Sequence, residues 1–226
     1  MQIESRVAAA EEGKSRRVSD RDRRFRGIGA FLARLAGREP TPGGGAVAAR
    51  QVAYGAALVA MVGRFAARDA DSDEVAAVVS LADDACARAV ELAAADEAAF
   101  GAVAAALQLP RGTDQEQQAR SAAIAAALVE ASRPPADVIE LAGEAMGLAE
   151  RIAPLASRST LADLAAAVEV LRAAVVTSRL NVETNLRGLD LAVVPEALTA
   201  SAATSGDTVK RADVCAEEIR RRLYRR

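Results

Sequence analysis

The sequence has no histidine and no tryptophan, and only 3% of its residues are aromatic. Without imidazole there is no Ser–His or Cys–His nucleophile pair, no histidine general base and no histidine-ligated metal. The two cysteines, Cys86 and Cys215, lie far apart with no CxxC spacing. That excludes a structural zinc site and predicts free, buried thiols in a reducing compartment. Scarce aromatics leave few of the cross-strand pairs that favour a sheet, so a core of Ala, Val and Leu favours closely packed helices. Long apolar runs are missing too. Gln51 to Gly63, 13 residues, is bounded by Arg50 and Arg64, whereas a membrane span needs about 20. The first 27 residues are densely charged and have no apolar signal core. The expectation is a cytoplasmic protein with no membrane partner.

Charge of one sign is also missing overall: the formal net charge is −2 over 226 residues. It is unevenly spread, with 8 basic and 5 acidic residues in positions 1–30 and 7 and 3 in 210–226. Basic residues at these ends alternate with acids and carry no interleaved aromatics, so no nucleic-acid partner is expected.

What is present is helical periodicity. Residues 1–19 read as a flexible N-terminal extension, and 20–226 as a single helical domain. From Asp20, Ile28, Phe31, Leu32 and Leu35 fall at helical spacing up to Gly37. A helix is expected from about Gly45 to Ala67, then one capped by Ser72 that runs, with or without a break, to Leu109. Thr113 with Glu116 forms a capping box for the next. Pro134 and Pro135 interrupt it and start a helix to Ile152. Ser159 or Thr160 caps a long helix to about Leu186, in which Leu161, Leu164, Val168, Leu171 and Val175 make an apolar stripe. A last helical region covers Pro195 to Arg222, with Gly206 as a weak point. The fold class is all-α, a multihelical domain of long packed helices. In the Gly45–Ala67 helix, Ala46, Ala49, Ala53, Ala56, Ala60, Gly63 and Ala67 lie near one face. They admit either a neighbouring helix of the same chain or a two-fold homodimer contact.

The segment "PTPGGGAVAA" places three glycines between two prolines and the most apolar helix. It is not a P-loop, because no Lys-Ser/Thr follows, nor a dinucleotide fingerprint, because no strand precedes it. Pro42 fixes one φ, and Gly43, Gly44 and Gly45 can reach conformations closed to other residues. Bare N–H groups at the helix start would suit an anionic or carbonyl-rich ligand. A tight turn beneath a crowded contact explains the glycines equally well. Asn181 and Asn185, four apart on one helix face, either hydrogen-bond a ligand or tie neighbouring helices.

The glycine segment with "MVG", followed by "ADEAAFGAV" (95–103), "PPADVIELA" (134–142) and "LNVETNL" (180–186), resembles the cyclodeaminase/cyclohydrolase family. This is the helical domain of bifunctional formiminotransferase-cyclodeaminase, which also occurs as a small bacterial protein. The resemblance implies a dimerising multihelical fold, a tetrahydrofolate derivative as substrate, and no metal or other cofactor. It implies closure of 5-formiminotetrahydrofolate to 5,10-methenyltetrahydrofolate with release of ammonia, with a formiminotransferase as pathway neighbour. The alternatives are a methenyltetrahydrofolate cyclohydrolase and a non-catalytic relative that keeps the ligand. Asp96 and Asp163 match acids of the family and are the expected acid/base or cation-stabilising groups; Pro42, Gly43, Gly44, Gly45, Asn181 and Asn185 are the expected substrate contacts. Ala46 stands where family members usually have Ser, Arg64 where an Asn is common, and Ala162 where an Asn-rich turn tends to end in Ser. Asp163 precedes Asn181 by 18 residues on one helix, roughly 27 Å at 1.5 Å per residue, too far for one reacting centre.

Overall fold

Residues 27–67 and 73–224 are described by the computed structural model, and every regular element among them is helical. The extension 1–19, the helix start at Asp20 and the cap at Ser72 lie outside these residues. The described chain falls into two units divided after Pro42. The first carries α1 (Ile28–Leu35) and ends at a cis Thr41–Pro42 peptide bond. The second carries α2 (Gly44–Ala66), α3 (Asp73–Leu107), α4 (Asp114–Ala131), α5 (Arg133–Ile152), α6 (Leu161–Leu186) and α7 (Glu196–Tyr224). Short 3₁₀ turns at Ala153–Leu155 and Leu191–Val193 link the last three.

Local chemistry sets several of these boundaries. Thr113 Oγ1 accepts from the Glu116 N–H, and Glu116 returns a bond to the Thr113 N–H, completing the capping box that opens α4. Pro134 and Pro135 occupy the first turn of α5, where a missing N–H costs nothing. The two helices abut at the buried Ser132, whose hydroxyl donates to the Leu128 carbonyl. After α6 the chain turns at Gly188, whose φ of 80° is the left-handed conformation glycine tolerates. Of the two alternatives for α3 the unbroken one holds, over 35 residues, and the expected weak point at Gly206 is absent, since α7 passes through it without interruption. Thr160 does stand at the start of α6, but its hydroxyl bonds the Ser157 carbonyl and leaves the first-turn N–H groups uncapped. Cys215 is buried as expected, whereas Cys86 is only half-buried; both are free.

The centre of the second unit is α2, which packs on α3, α5 and α6. Its 23 residues and a most apolar 18-residue stretch of mean hydropathy 1.4 would suffice for a membrane span, yet 61% of that stretch is buried inside this chain, as befits a core helix. Glycines decide how closely its neighbours approach. A Cβ on Gly55 would lie 2.6 Å from Leu171 Cγ and 3.2 Å from the Ala167 carbonyl of α6. One on Gly63 would lie 2.6 Å from Val79 Cγ2 of α3. The small-residue stripe is therefore spent within the chain: Ala46, Ala49, Ala56 and Ala60 are fully buried, and only Ala67 is exposed. Gly45 meets Asp96 while Gly63 meets Val79, so α2 and α3 are antiparallel. Gly44 meets Asn181 while Gly55 meets Leu171, so α2 and α6 are antiparallel too.

Gly55→Ala should lower stability by about 1–3 kcal/mol through overpacking against α6. Gly206→Ala, at a helical site with nothing within 4 Å of the new methyl, should raise it by about 0.5–1 kcal/mol. Urea unfolding of both variants checks the contrast.

Candidate active site at the start of α2

The glycine triplet opens α2, with Gly43 as N-cap in an extended conformation (φ −131°, ψ −158°). Among the described residues only Gly188 has a positive φ. None of the three glycines is therefore needed for a left-handed backbone, contrary to the conformational reason the sequence suggested. Space explains the third one. A Cβ on Gly45 would sit 1.9 Å from Asp96 Oδ1 and 2.5 Å from its Cγ, so the carboxyl occupies the place of a side chain. Gly44 would place a methyl 3.6 Å from both polar atoms of the Asn181 amide, an ordinary contact, and Gly43 would meet nothing. Both readings of the loop thus hold in part: it is a crowded contact, and what crowds it is a carboxylic acid.

Asp96 projects from the third quarter of α3 and is half-buried. Loss of water pushes its carboxyl up from 3.8 to about 6. The Ala46 N–H at the start of α2 donates to it and pulls the other way, and Glu97 beside it adds a small upward push. Burial wins, leaving an acid that titrates near neutrality. Gly44 is exposed, so the corner opens to solvent. An acid/base group of matched pKa beside bare backbone N–H groups can move a proton at a bound ligand.

Asn181, on α6, flanks the corner on the other side. Its Nδ2 donates to the Thr177 carbonyl at 3.1 Å, and its Oδ1 has no intramolecular partner among the described residues. Asn185 does something different: buried, it donates from Nδ2 to the Ala131 carbonyl at 3.0 Å, tying α6 to the end of α4. Pro42 precedes Gly43 directly in the chain. Asp163 lies in the first turn of α6 and has no hydrogen bond or ion pair among the described residues. Because α6 runs antiparallel to α2, Asp163 stands near the far end of α2, and the structure does not bring it to Asp96 within one chain. Arg64 is a surface group, with Nη2 2.6 Å from Asp83 Oδ2.

One polar group went unread in the sequence. The Ser178 hydroxyl is fully buried on α6, one turn before Asn181, and has no hydrogen-bond partner among the described residues. Its spacing of three residues from Asn181 was the available signal. A groove of about 720 Å³ lies elsewhere, where Glu150 and Pro154 face Arg211, Cys215 and Arg222. It contains none of the corner residues.

The sequence matches the family described as Formiminotransferase-cyclodeaminase over residues 27–203. The chain belongs to this family. It is 36% identical, over 72% of its own length and 80% of the relative's, to the methenyltetrahydrofolate cyclohydrolase of Methylorubrum extorquens. It is 31% identical over 71% of its length to the formimidoyltransferase-cyclodeaminase of Rattus norvegicus, of which it covers 30%. The crystal structure of formiminotetrahydrofolate cyclodeaminase from Thermotoga maritima superposes with a TM-score of 0.68 at 24% identity, covering 85% of this chain and 93% of that one. The all-α fold is thus the fold of that enzyme.

Two outcomes follow from the corner geometry. Gly45→Ala should displace the Asp96 carboxyl and abolish its near-neutral titration, while Gly43→Ala and Gly44→Ala leave it in place; carboxyl-labelled NMR distinguishes them. Asp96→Asn should raise the melting temperature at pH 8 and leave it nearly unchanged at pH 4. The sign follows from the raised pKa: the neutral acid contributes its full stability below the unfolded value of 3.8, and that contribution is lost as pH rises through about 6. Scanning calorimetry across this pH window measures it.

Proposed function

We propose that this chain is an enzyme of folate one-carbon metabolism that closes 5-formiminotetrahydrofolate to 5,10-methenyltetrahydrofolate and releases ammonia. The observation that carries the reading is Asp96, a carboxyl lifted to about 6 and held by a backbone N–H at an open helix start. In this reaction N10 attacks the amidinium carbon on N5, so a C–N10 bond forms and a tetrahedral carbon bearing three nitrogens results. The proton lost by N10 moves to the former formimino nitrogen, the bond to that nitrogen breaks, and ammonia leaves. The positive charge begins on the formimino amidinium, travels with the transferred proton through the tetrahedral stage, and ends spread over the N5–C–N10 unit. One carboxylate that accepts the N10 proton and returns it to the leaving nitrogen satisfies this balance, and a pKa near the working pH suits both transfers. The carboxylate also lies beside a cation in substrate and product alike. Bare N–H groups of Gly44 and Gly45, with the Asn181 amide, suit the carbonyl and amide edge of a pteridine.

A second reading, methenyltetrahydrofolate cyclohydrolase, is favoured by the relative of that name, matched over most of its length. The reacting centre is the same. Water adds to the methenyl carbon and gives one proton to the carboxylate; the hydroxyl proton of the adduct then passes to N5 as the C–N5 bond breaks, leaving a formyl group on N10. We further propose a homodimer, supported by apolar surface left on α2, and a formiminotransferase as the enzyme that loads the substrate. The names of the vertebrate relatives, which join both activities, support the latter.

Methenyl absorbance reads both reactions. A rise with 5-formiminotetrahydrofolate indicates cyclodeamination, and an accelerated fall with 5,10-methenyltetrahydrofolate indicates hydrolysis. Asp96→Asn should slow turnover by about a hundredfold or more. In the wild type, kcat/KM for cyclodeamination should fall as pH drops through about 6, because the carboxylate is the form that accepts the proton. No absorbance change with either substrate, and no folate binding by calorimetry, would overturn the enzyme reading.

A further inference from the structure

Along α3 one buried stripe runs through Val75, Val78, Ala82, Ala85, Ala89 and Ala93, at steps of three and four. The next two positions of that stripe are Asp96 and Phe100. Asp96 is level with Gly45 at the start of α2, so the stripe outruns α2 there and Phe100 lies one turn past it. Its ring, 38% exposed, borders solvent. The four-residue spacing puts the Cβ atoms of Asp96 and Phe100 about 6 Å apart. Long side chains on a helix lean toward its N-terminus, which here means back over the Asp96 carboxyl. Few other aromatics are in reach. α3 and α6 hold no second one, and Tyr54, the nearer of the two on α2, lies ten residues, about 15 Å, beyond Gly44.

We propose that Phe100 is the aromatic wall of the folate site and selects ligands that are cationic at the reacting carbon. The assignment rests on the folate reading above. A carbon held against the Asp96 carboxylate is within reach of the Phe100 ring, and a cation within about 6 Å of a phenyl centroid is attracted by the negative face of the ring. Such an attraction is needed at this corner. The N-terminus of α2 suits the carbonyl edge of a pteridine but repels a cation beside it. Asp96 offsets that repulsion only while ionised, and its charge is lost as pH falls through about 6. The ring does not titrate. The formimino amidinium and the methenyl product both carry the positive charge, whereas an N5-formyl group on the same skeleton does not. Apolar area alone treats the flat cation and the flat neutral ligand alike; the ring quadrupole separates them. Phe100 moves no proton and meets substrate and product in the same way, so its effect falls on KM rather than kcat.

Calorimetry at mildly acidic pH, where the methenyl cation persists, compares 5,10-methenyltetrahydrofolate with 5-formyltetrahydrofolate. Phe100→Leu keeps the apolar bulk and the helix propensity but removes the ring. It should weaken the methenyl ligand by about threefold to thirtyfold and the formyl ligand by less than about twofold. Phe100→Tyr, which restores a ring, should return both affinities to within about twofold of the wild type. In turnover, Phe100→Leu should raise KM with kcat nearly unchanged, the opposite of the loss of kcat expected of Asp96→Asn. Fluorinated phenylalanines at position 100 keep the shape of the ring and drain its negative face. Affinity for the methenyl cation should then fall stepwise with each fluorine, with the packing unaltered. Equal weakening of both ligands in Phe100→Leu reduces the ring to an apolar wall and overturns the assignment. A wild type that binds neither ligand overturns the folate reading and the assignment with it. A wild type that binds both, matched by every Phe100 variant, overturns the assignment alone.

Discussion

One close contact organises the molecule: the carboxyl of Asp96 occupying the space where Gly45 has no side chain. It fixes the level of α3 against α2, because the acid can reach the Ala46 N–H only where the helix starts without bulk. It also costs free energy, since a carboxylate is held where water is partly excluded. The rest of the second unit offsets that cost with an interior in which glycine and alanine let three helices approach closely, so that Val52, Leu141, Met146 and Leu171 are fully buried. Strain of this kind, a polar group kept out of water by well-packed surroundings, is what tunes an acid for proton transfer near neutral pH.

The chemistry follows from that economy. With no histidine in the sequence, a group that exchanges protons near neutrality has to be made from another side chain. Desolvation raises an aspartate into the range an imidazole would occupy, and a single backbone donor keeps it oriented. Cyclodeamination and hydrolysis both pass through a carbon joined to N5, N10 and one further heteroatom, and both need one proton carried between heteroatoms on that carbon. A single family can therefore hold relatives named for either reaction without rebuilding the site.

Much of the fold was legible because its signals are local. The Thr113–Glu116 box, the Pro134–Pro135 start and the stripe from Leu161 to Val175 depend on residues a few positions apart, and all three hold. The expected weakness at Gly206 did not appear, because a single helical glycine costs only about 1 kcal/mol against the packing of a 29-residue helix. Within the site, the glycine triplet and Asp96 were singled out separately, but nothing in one sequence says that a carboxyl 51 residues from Gly45 fills its side-chain space. Asn185 and Asn181 illustrate the same limit. They share a face and a spacing, yet one ties α6 to the Ala131 carbonyl and the other borders the corner, a difference set by which helix each meets. Of the two reasons the sequence offered for the glycines, the crowded contact holds at Gly45 and the left-handed backbone does not: dihedral preference is local and readable, while the absence of room is tertiary.

Burial at the α2 start makes Asp96 a near-neutral acid. Its titration can be followed directly by carbon NMR on protein labelled at aspartate carboxyls, with the resonance assigned by its loss in Asp96→Asn. A midpoint near 6 is the result the structure requires. A midpoint at the ordinary aspartate value of about 3.9 would contradict it, since the carboxyl would then be solvated rather than packed against Gly45.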